Sequence, residues 1–382
     1  AYQDPEHASI KDLDLKNLSQ INSEIADTAR DVFVYDTRKD SDGGAWRKRT
    51  THTSWYNETL GTAIRGTRRE FPAVAVLVLE TSKLTIYDGD DPDLPMWMVF
   101  NTKAEEYYLI SGNNDHDLRC VAALNGIIVT GNTPSYNHGG VIQVNFVKDD
   151  GFATSHSTNK RWTGGILNRN SEDYWFTVGD GNYIITNSAN DVAMTVLPNA
   201  PIDDTTGLPI PTIAVATDGG VSVIEDDGTV VDLYRSSSGN EFSHQVAFDE
   251  NNSLFFSWGT TNGQERHLAY YETIPSSDDT ELTDNYYPSA NFGSTAFGSS
   301  GQGIIANNGR DFAGSDDKQY LTRLYHTKES ATSNTSSVAN ITSSYNTGWM
   351  HGNIKGAFLS DTDTTNVSAS TNLVTNGTFD SN

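Results

Sequence analysis

The stretch from Ala73 to Phe100, AVAVLVLETSKLTIYDGDDPDLPMWMVF, decides the fold. A run of small and β-branched residues is followed by a polar turn at Thr81-Ser82 and a second run, LTIYD. A turn crowded with Asp, Gly and Pro then leads into MWMVF, so the whole reads as three consecutive antiparallel strands. The same unit recurs outward from this point. It returns as CVAAL from Cys120 with IIVTG and VIQVNF, as GILN from Gly165 with YWFTV and NYIIT, and as IAVAT from Ile213 with VSVIE and VVDLY. QVAF from Gln245 leads SLFFSW and HLAYYE, GIIA from Gly303 leads DFAGS and YLTRLYHT, and a last first strand, NIKGAF, starts at Asn353.

These starts lie about 47 residues apart, the size of one four-stranded propeller blade. Small residues suit an inner strand where backbones crowd, and large ones suit the outer strands. The sequence therefore predicts an all-β protein, a seven-bladed β-propeller. Six or eight blades stay open because the interval from 213 to 245 is short for a blade. VFVYDT (Val32 to Thr37) and Ala45 to Arg49 are expected to supply outer strands of the last blade, so that N- and C-terminal strands close the ring and hide its sheet edges. A β-sandwich pair fits the regular unit less well, and a β-helix fits the long period less well.

Residues 1–30 read differently: Leu15, Leu18, Asn22, Ile25 and Ala29 form a two-heptad stripe, either a short coiled-coil stub or one helix packed on a neighbour. The expected organisation is a helical attachment segment over 1–30, a propeller over 31–362, and a linker over 363–382 ending in NLVTNGTFDSN, the first strand of a further module. The chain opens on Ala-Tyr-Gln without Met, which reads as part of a longer parent.

With 50 acidic against 25 basic residues the net charge is −25, which argues against a nucleic-acid partner because phosphate binding depends on Lys and Arg displacing counterions. The longest apolar run, Ala73 to Leu79, is strand-sized and implies no membrane insertion. The single cysteine, Cys120, rules out an intramolecular disulfide and reads as a small buried residue of an inner strand.

Two acidic turns, Asp40-Ser41-Asp42-Gly43-Gly44 and Asp88-Gly89-Asp90-Asp91-Pro92-Asp93, space carboxylates as a calcium ion would take them. Neither matches the twelve-residue calcium loop, and Asp-Gly turns are also what hairpins prefer. No cofactor is expected, with calcium left open at these turns. His116, His138 and His156 lie in polar loops without metal-ligand spacing. Asp42-Gly43-Gly44-Ala45-Trp46 resembles the Asp-box turn of sialidase-type propellers, D-x-G-x-T-W, but lacks the Thr and carries the Trp one residue early. A glycosidase needs two carboxylates across a cleft, and Asp115, Asp117, Asp180 and Asp218 are candidates for a central pocket without a spacing that singles out a pair.

One segment breaks the acidic background: Trp46, Arg47, Lys48 and Arg49, then Trp55, Tyr56, Arg65, Arg68 and Arg69. Basic and aromatic residues together suit a protein interface, which is the expectation, or they neutralise the chain's own acidic neighbours. Tyr107, Tyr108, Tyr136, Tyr174, Trp175, Tyr286 and Tyr287 stand in or beside polar turns, as rings that stack on sugars do; aromatics at strand ends are equally ordinary propeller core.

The runs DVFVYDTRKDSDGGAWRKRTTHTSWYNE from Asp31, REFPAVAVLVLETSKLTIYDGDDPDLPMWMVFN from Arg69, NTGWMHGNIKGAFLSDT from Asn346 and NLVTNGTFD from Asn372 together resemble a group of virion structural proteins of marine phages, usually tail fibres or tail-associated proteins. The tail strand resembles the entry to jelly-roll carbohydrate-binding modules. The resemblance implies no catalytic residues. It implies a virion appendage assembled in a reducing cytoplasm and exposed to seawater, where a Debye length below about 8 Å makes high charge tolerable. The expectation is a non-enzymatic platform for host attachment, with other tail proteins and a host-surface glycan or receptor as partners and a trimeric or hexameric assembly. A polysaccharide depolymerase and a cell-surface adhesin of a marine bacterium are the alternatives.

Overall fold

The computed structural model describes residues 28–102, 108–110, 117–133, 140–171, 174–179, 181–235, 241–260, 266–280, 282, 286–287, 304–307, 311–314, 321–326 and 336–340. Five antiparallel sheets follow one another along them. The first runs β1 (Ala29–Asp36), β2 (Val74–Glu80), β3 (Lys83–Asp88) and β4 (Met96–Asn101), in that spatial order. The second holds β5 (Leu118–Leu124), β6 (Ile127–Asn132), β7 (Gly140–Asn145), β8 (Asp150–Thr154), β9 (Asn159–Trp162) and β10 (Trp175–Val178). The third holds β11 (Ala189–Thr195), β12 (Thr212–Thr217), β13 (Gly220–Ile224) and β14 (Val230–Leu233).

In the fourth sheet, β15 (Glu241–Phe242) and β16 (Val246–Phe248) both pair with β17 (Leu254–Thr260), followed by β18 (Arg266–Tyr271) and β19 (Tyr286–Tyr287). The fifth runs β20 (Ile304–Asn307), β21 (Asp311–Gly314), β22 (Leu321–His326) and β23 (Ser336–Asn340). The first, second, third and fifth sheets are up-and-down meanders, and β1, β5, β11, β16 and β20 neighbour one another in that order. Sheets that start at a shared centre and step outward strand by strand are the blades of a β-propeller.

Crowding at the centre explains the small residues there. Cys120, Ala122 and Ala189 pack with Val129, Val141 and Val215 in one cluster. A Cβ on Gly131 of β6 would overlap the Cys120 sulfur and stand 2.9 Å from the Ala189 Cβ, so only glycine fits between these strands.

The structure corrects the division into units. AVAVL and IAVAT are second strands, β2 and β12, whereas CVAAL, QVAF and GIIA lie in first strands. VFVYDT is not an outer strand of the last blade: it lies in β1, innermost in the first sheet and paired with β2 from Ala29↔Glu80 to Asp36↔Val74. Phe33 and Tyr35 of this strand face the large core cluster, while Val32 and Val34 are about half exposed. Ala45–Arg49 is a 3-10 turn, not a strand. GILN opens no blade either. Ile166–Asn168 is a 3-10 turn whose amides are taken by Asp149 and Ser54, YWFTV supplies β10, and Asn182 to Thr186 connect to β11. Insertions between strands therefore make the blade period uneven. Of the helical segment expected over residues 1–30, Ala29 and Arg30 instead open β1, where Ala29 pairs with Glu80; residues 1–27, NIKGAF, and the linker and strand over 363–382 lie outside the described residues.

Candidate functional site

The basic and aromatic segment lies between β1 and β2 and turns inward. Trp46 and Trp55 are fully buried, so the expectation that they contact a partner is overturned; burying the two indoles against the rings of the first and second sheets removes far more apolar surface from water than an exposed turn would. Phe71 is the hub of the cluster, with ring centroids 5.2 Å from Trp46, 4.9 Å from Trp97 and 4.9 Å from Phe146. Each buried indole N–H has an acceptor: Trp46 donates to Asp40, Trp55 to the Phe146 carbonyl and Trp97 to the Glu70 carbonyl.

The cations of this segment are also spent within the chain. Arg47 donates to the Phe71 carbonyl at 3.1 Å, Arg49 pairs with Asp42 at 3.0 Å and reaches the Thr206 carbonyl, and Arg68 pairs with Asp88 and Asp90, each at 2.7 Å. Arg69 donates to the Tyr56 carbonyl and sits 5.7 Å from that half-buried ring. Lys48 alone of this group is exposed without such a contact among the described residues. At the centre, Glu58 accepts both terminal nitrogens of Arg169, at 2.9 and 3.0 Å, and lies 3.6 Å from Arg65 Nε. Arg65 and Arg169 have no exposed surface. Arg65 stands 4.4 Å over the Trp97 ring, and burial pulls its pKa down to about 10. The segment is an internal clamp that neutralises its own acidic neighbours.

In the two turns considered for calcium, Asp40 and Asp90 are occupied by protein donors, whereas the buried Asp42 carboxylate pairs with Arg49 and has no hydrogen-bond partner among the described residues. Asp40 accepts from Tyr35 Oη and Trp46 Nε1, each at 2.6 Å, and from the Asn125 amide at 2.8 Å. Asp90 accepts from the Ala73 and Val74 amides.

Of the aromatics expected to meet glycans, Tyr107 and Tyr136 lie outside the described residues. Tyr286 and Tyr287 form the short outer strand β19. Trp175 is corrected to a packing role: it stacks edge-on 5.4 Å from Trp162 and donates to the carbonyl of the half-buried Tyr108 at 3.2 Å. Tyr174 packs 5.2 Å from Trp162.

The start of the inner strands holds a constellation that the reading of single motifs missed. β1, β5 and β11 each carry one extra residue near their beginning, Arg30, Arg119 and Asn190. These bulge residues join into a chain: Arg30 to Asp117 at 3.3 Å, Asp117 to Arg119 at 3.5 Å, Arg119 to Asn190 at 2.5 Å, and Asn190 to Asp218 at 2.8 Å. The next residues are Asp31, Cys120 and Asp191. Asp31 accepts from the Val121 amide of the neighbouring inner strand and Asp191 from the Val246 amide, so each carboxylate staples one blade to the next. Burial raises the pKa of Asp31 and pushes Asp191 up to about 7, and it raises the Cys120 thiol well above its usual range. The signal was in the sequence: Ala29-Arg30-Asp31-Val32 and Ala189-Asn190-Asp191-Val192 share A-x-D-V. His156 meets the Ile184 carbonyl at 3.2 Å, and His116, His138, Asp115 and Asp180 lie outside the described residues.

A second feature is a groove of about 550 Å³ between the second and third sheets, with Phe152, Ile224 and Val230 among its apolar walls and Gln143, Thr154 and Arg161 among its polar ones.

No family model matches the chain, and no curated protein matches it. Solved structures do. A chain of a ctPRC2 complex is similar at 13% identity and a TM-score of 0.33, over 66% of this chain and 45% of that one. YCF48 bound to D1 peptide is similar at 9% identity and a TM-score of 0.33, over 66% and 76%. PorZ, a surface component of the type-IX secretion system of Porphyromonas gingivalis, is similar at 12% identity and a TM-score of 0.27, over 69% and 48%. This chain thus spans less than half of the first and third of these proteins. At these scores the likeness carries no argument about what the chain binds or does.

Proposed function

We propose that the chain is a non-catalytic propeller platform of a virion tail fibre or tail-associated appendage, held in a homo-oligomer with other tail proteins and serving attachment to a host-surface glycan. The observation that carries the non-catalytic part is the brace at the start of the inner strands. Asp117 and Asp218, the described candidates for a central acid pair, are tied to Arg30, Arg119 and Asn190 instead of standing free across a cleft. Carboxylates engaged in this way are not free to act together on a substrate, whereas a braced centre and a clamped first blade give the stiffness that a platform needs. The virion part rests on the likeness of four long runs of sequence to marine phage tail proteins and on the acidic, nearly cysteine-free composition.

The depolymerase reading has one observation in its favour, the Asp191 carboxyl held near neutrality. It is weakened by the two backbone amides that the same carboxylate accepts. Immunogold labelling of marine phage particles with antibodies raised against this chain tests the reading. Label confined to the tail is expected, and its absence from particles that carry the coding sequence would refute the virion assignment.

A further inference from the structure

The second sheet departs from the four-strand plan of the first and third, because β9 and β10 carry it outward by two more strands. The register places Gln143 of β7, Phe152 of β8, Arg161 of β9 and Phe176 of β10 side by side on successive strands, and therefore on one face. With strands about 4.8 Å apart, the row is about 14 Å long and its two phenyl groups stand about 10 Å apart. That is the separation of alternate rings in an extended β-linked oligosaccharide.

Phe176 is 60% exposed, although large apolar side chains are mostly buried among the described residues. Alongside the row opens the groove between the second and third sheets. Thr154 lines that groove, is 2% exposed, and has a buried hydroxyl oxygen without a hydrogen-bond partner among the described residues. The rim also carries Arg161 paired with Asp150 at 2.9 Å, which presents a donor and an acceptor together. Asp150, Asp203, Glu225, Asp226 and Asp227 outnumber Lys148 and Arg161 around the groove, so an anionic polymer would be repelled.

We infer that this row and the groove beside it bind an extended, uncharged oligosaccharide. Phe152 and Phe176 take the apolar faces of alternate sugar rings, while Gln143 and the Arg161–Asp150 pair meet the ring hydroxyls. The inference rests on the glycan-attachment reading above and gives that reading a site, away from the tyrosines that the sequence suggested.

The test is calorimetric titration of the whole chain with cello-, xylo- and mannohexaose and, as the acidic counterpart, polygalacturonate, repeated with Phe176→Ser and Gln143→Ala. Phe176 lies outside the core, so an unchanged melting temperature verifies that Phe176→Ser folds. Host-cell adsorption of the same proteins is measured in parallel. Binding of at least one neutral hexasaccharide is expected, at least tenfold weaker in Phe176→Ser and several-fold weaker in Gln143→Ala, with polygalacturonate not bound. The proposal is overturned if no neutral hexasaccharide binds, if both variants bind as the parent does, if polygalacturonate binds as well, or if Phe176→Ser acts instead by dissociating a dimer formed through the edge of β10. Unchanged adsorption of Phe176→Ser to host cells would reject this site and leave the attachment reading standing. Failure of every form to adsorb would reject the reading itself.

Discussion

Replacing Glu58 with glutamine keeps the shape of the clamp and removes the carboxylate from between two buried guanidinium groups. Arg169 makes five hydrogen bonds: Nε to the Val99 carbonyl at 2.8 Å, Nη1 to Glu58 at 2.9 Å and the Ile166 carbonyl at 3.1 Å, and Nη2 to Glu58 at 3.0 Å and the Ile64 carbonyl at 2.9 Å. Arg65 donates to the carbonyls of Arg68, Trp97 and Arg69 and has Glu58 as its nearest carboxylate, at 3.6 Å. The side-chain amide that Glu58→Gln introduces restores one acceptor at most and no charge, leaving two fully buried cations uncompensated. Breaking a buried pair in this way costs about 3 to 5 kcal/mol. At about 2 to 4 °C per kcal/mol for a body of this size, the melting temperature falls by about 6 to 20 °C. Scanning calorimetry measures the loss, and fluorescence of Trp46, Trp55, Trp97 and Trp162, all inside the same core, reports whether the clamp itself melts. The exposed Glu250→Gln removes the same charge without touching the clamp and serves as the control. A Glu58→Gln protein melting within about 2 °C of that control would refute the claim that this buried cluster holds the first two sheets together.

Further outcomes follow from the same geometry. Asp191 binds its proton more tightly in the fold than in the unfolded chain, so its contribution to stability is complete below about pH 4, falls as pH rises and is gone above about 7. A rise of about 3 pKa units corresponds to roughly 4 kcal/mol, so urea midpoints of Asp191→Asn should fall less between pH 4 and 8 than those of the parent; parallel profiles would contradict this. Gly66→Ala drives a Cβ into the Met96 carbonyl oxygen and should lower stability by about 1 to 3 kcal/mol in urea titration, with a change under about 0.5 kcal/mol counting against the close approach. Cys120 is buried with its thiol pKa well raised, so a thiol reagent at pH 8 should react only as the chain unfolds. Fast labelling of the native protein would contradict its placement between the inner strands.

The strands were legible in the sequence, whereas their places in the sheets were not. AVAVLVLE, LTIYD and MWMVF are consecutive strands as read, yet AVAVL is a second strand because VFVYDT lies inside it. Both runs are apolar and β-branched, and no local feature ranks one as inner. The clamp misled for a different reason. Trp and Arg in a turn-rich stretch read as surface, yet Trp46, Trp55 and Arg65 are buried, and Arg65 lies beside Glu58 where it meets Arg169, a contact across 111 positions that no spacing reveals. The alternative reading, that these cations neutralise the chain's own acids, was available, but only the fold could choose it. The A-x-D-V recurrence at Ala29 and Ala189 was legible, and it lies where two inner strands bulge and staple the next blade. The row Gln143, Phe152, Arg161 and Phe176 was not, because its residues meet only through strand register.

The most direct test of the central claim is incubation of the purified chain with marine host bacteria and with their extracted surface polysaccharide, scoring adsorption and release of reducing sugar in the same samples. Adsorption that saturates without sugar release is the predicted result. Sugar release that Asp191→Asn abolishes would contradict the non-catalytic reading, and absence of adsorption to every host and polysaccharide tried would contradict attachment.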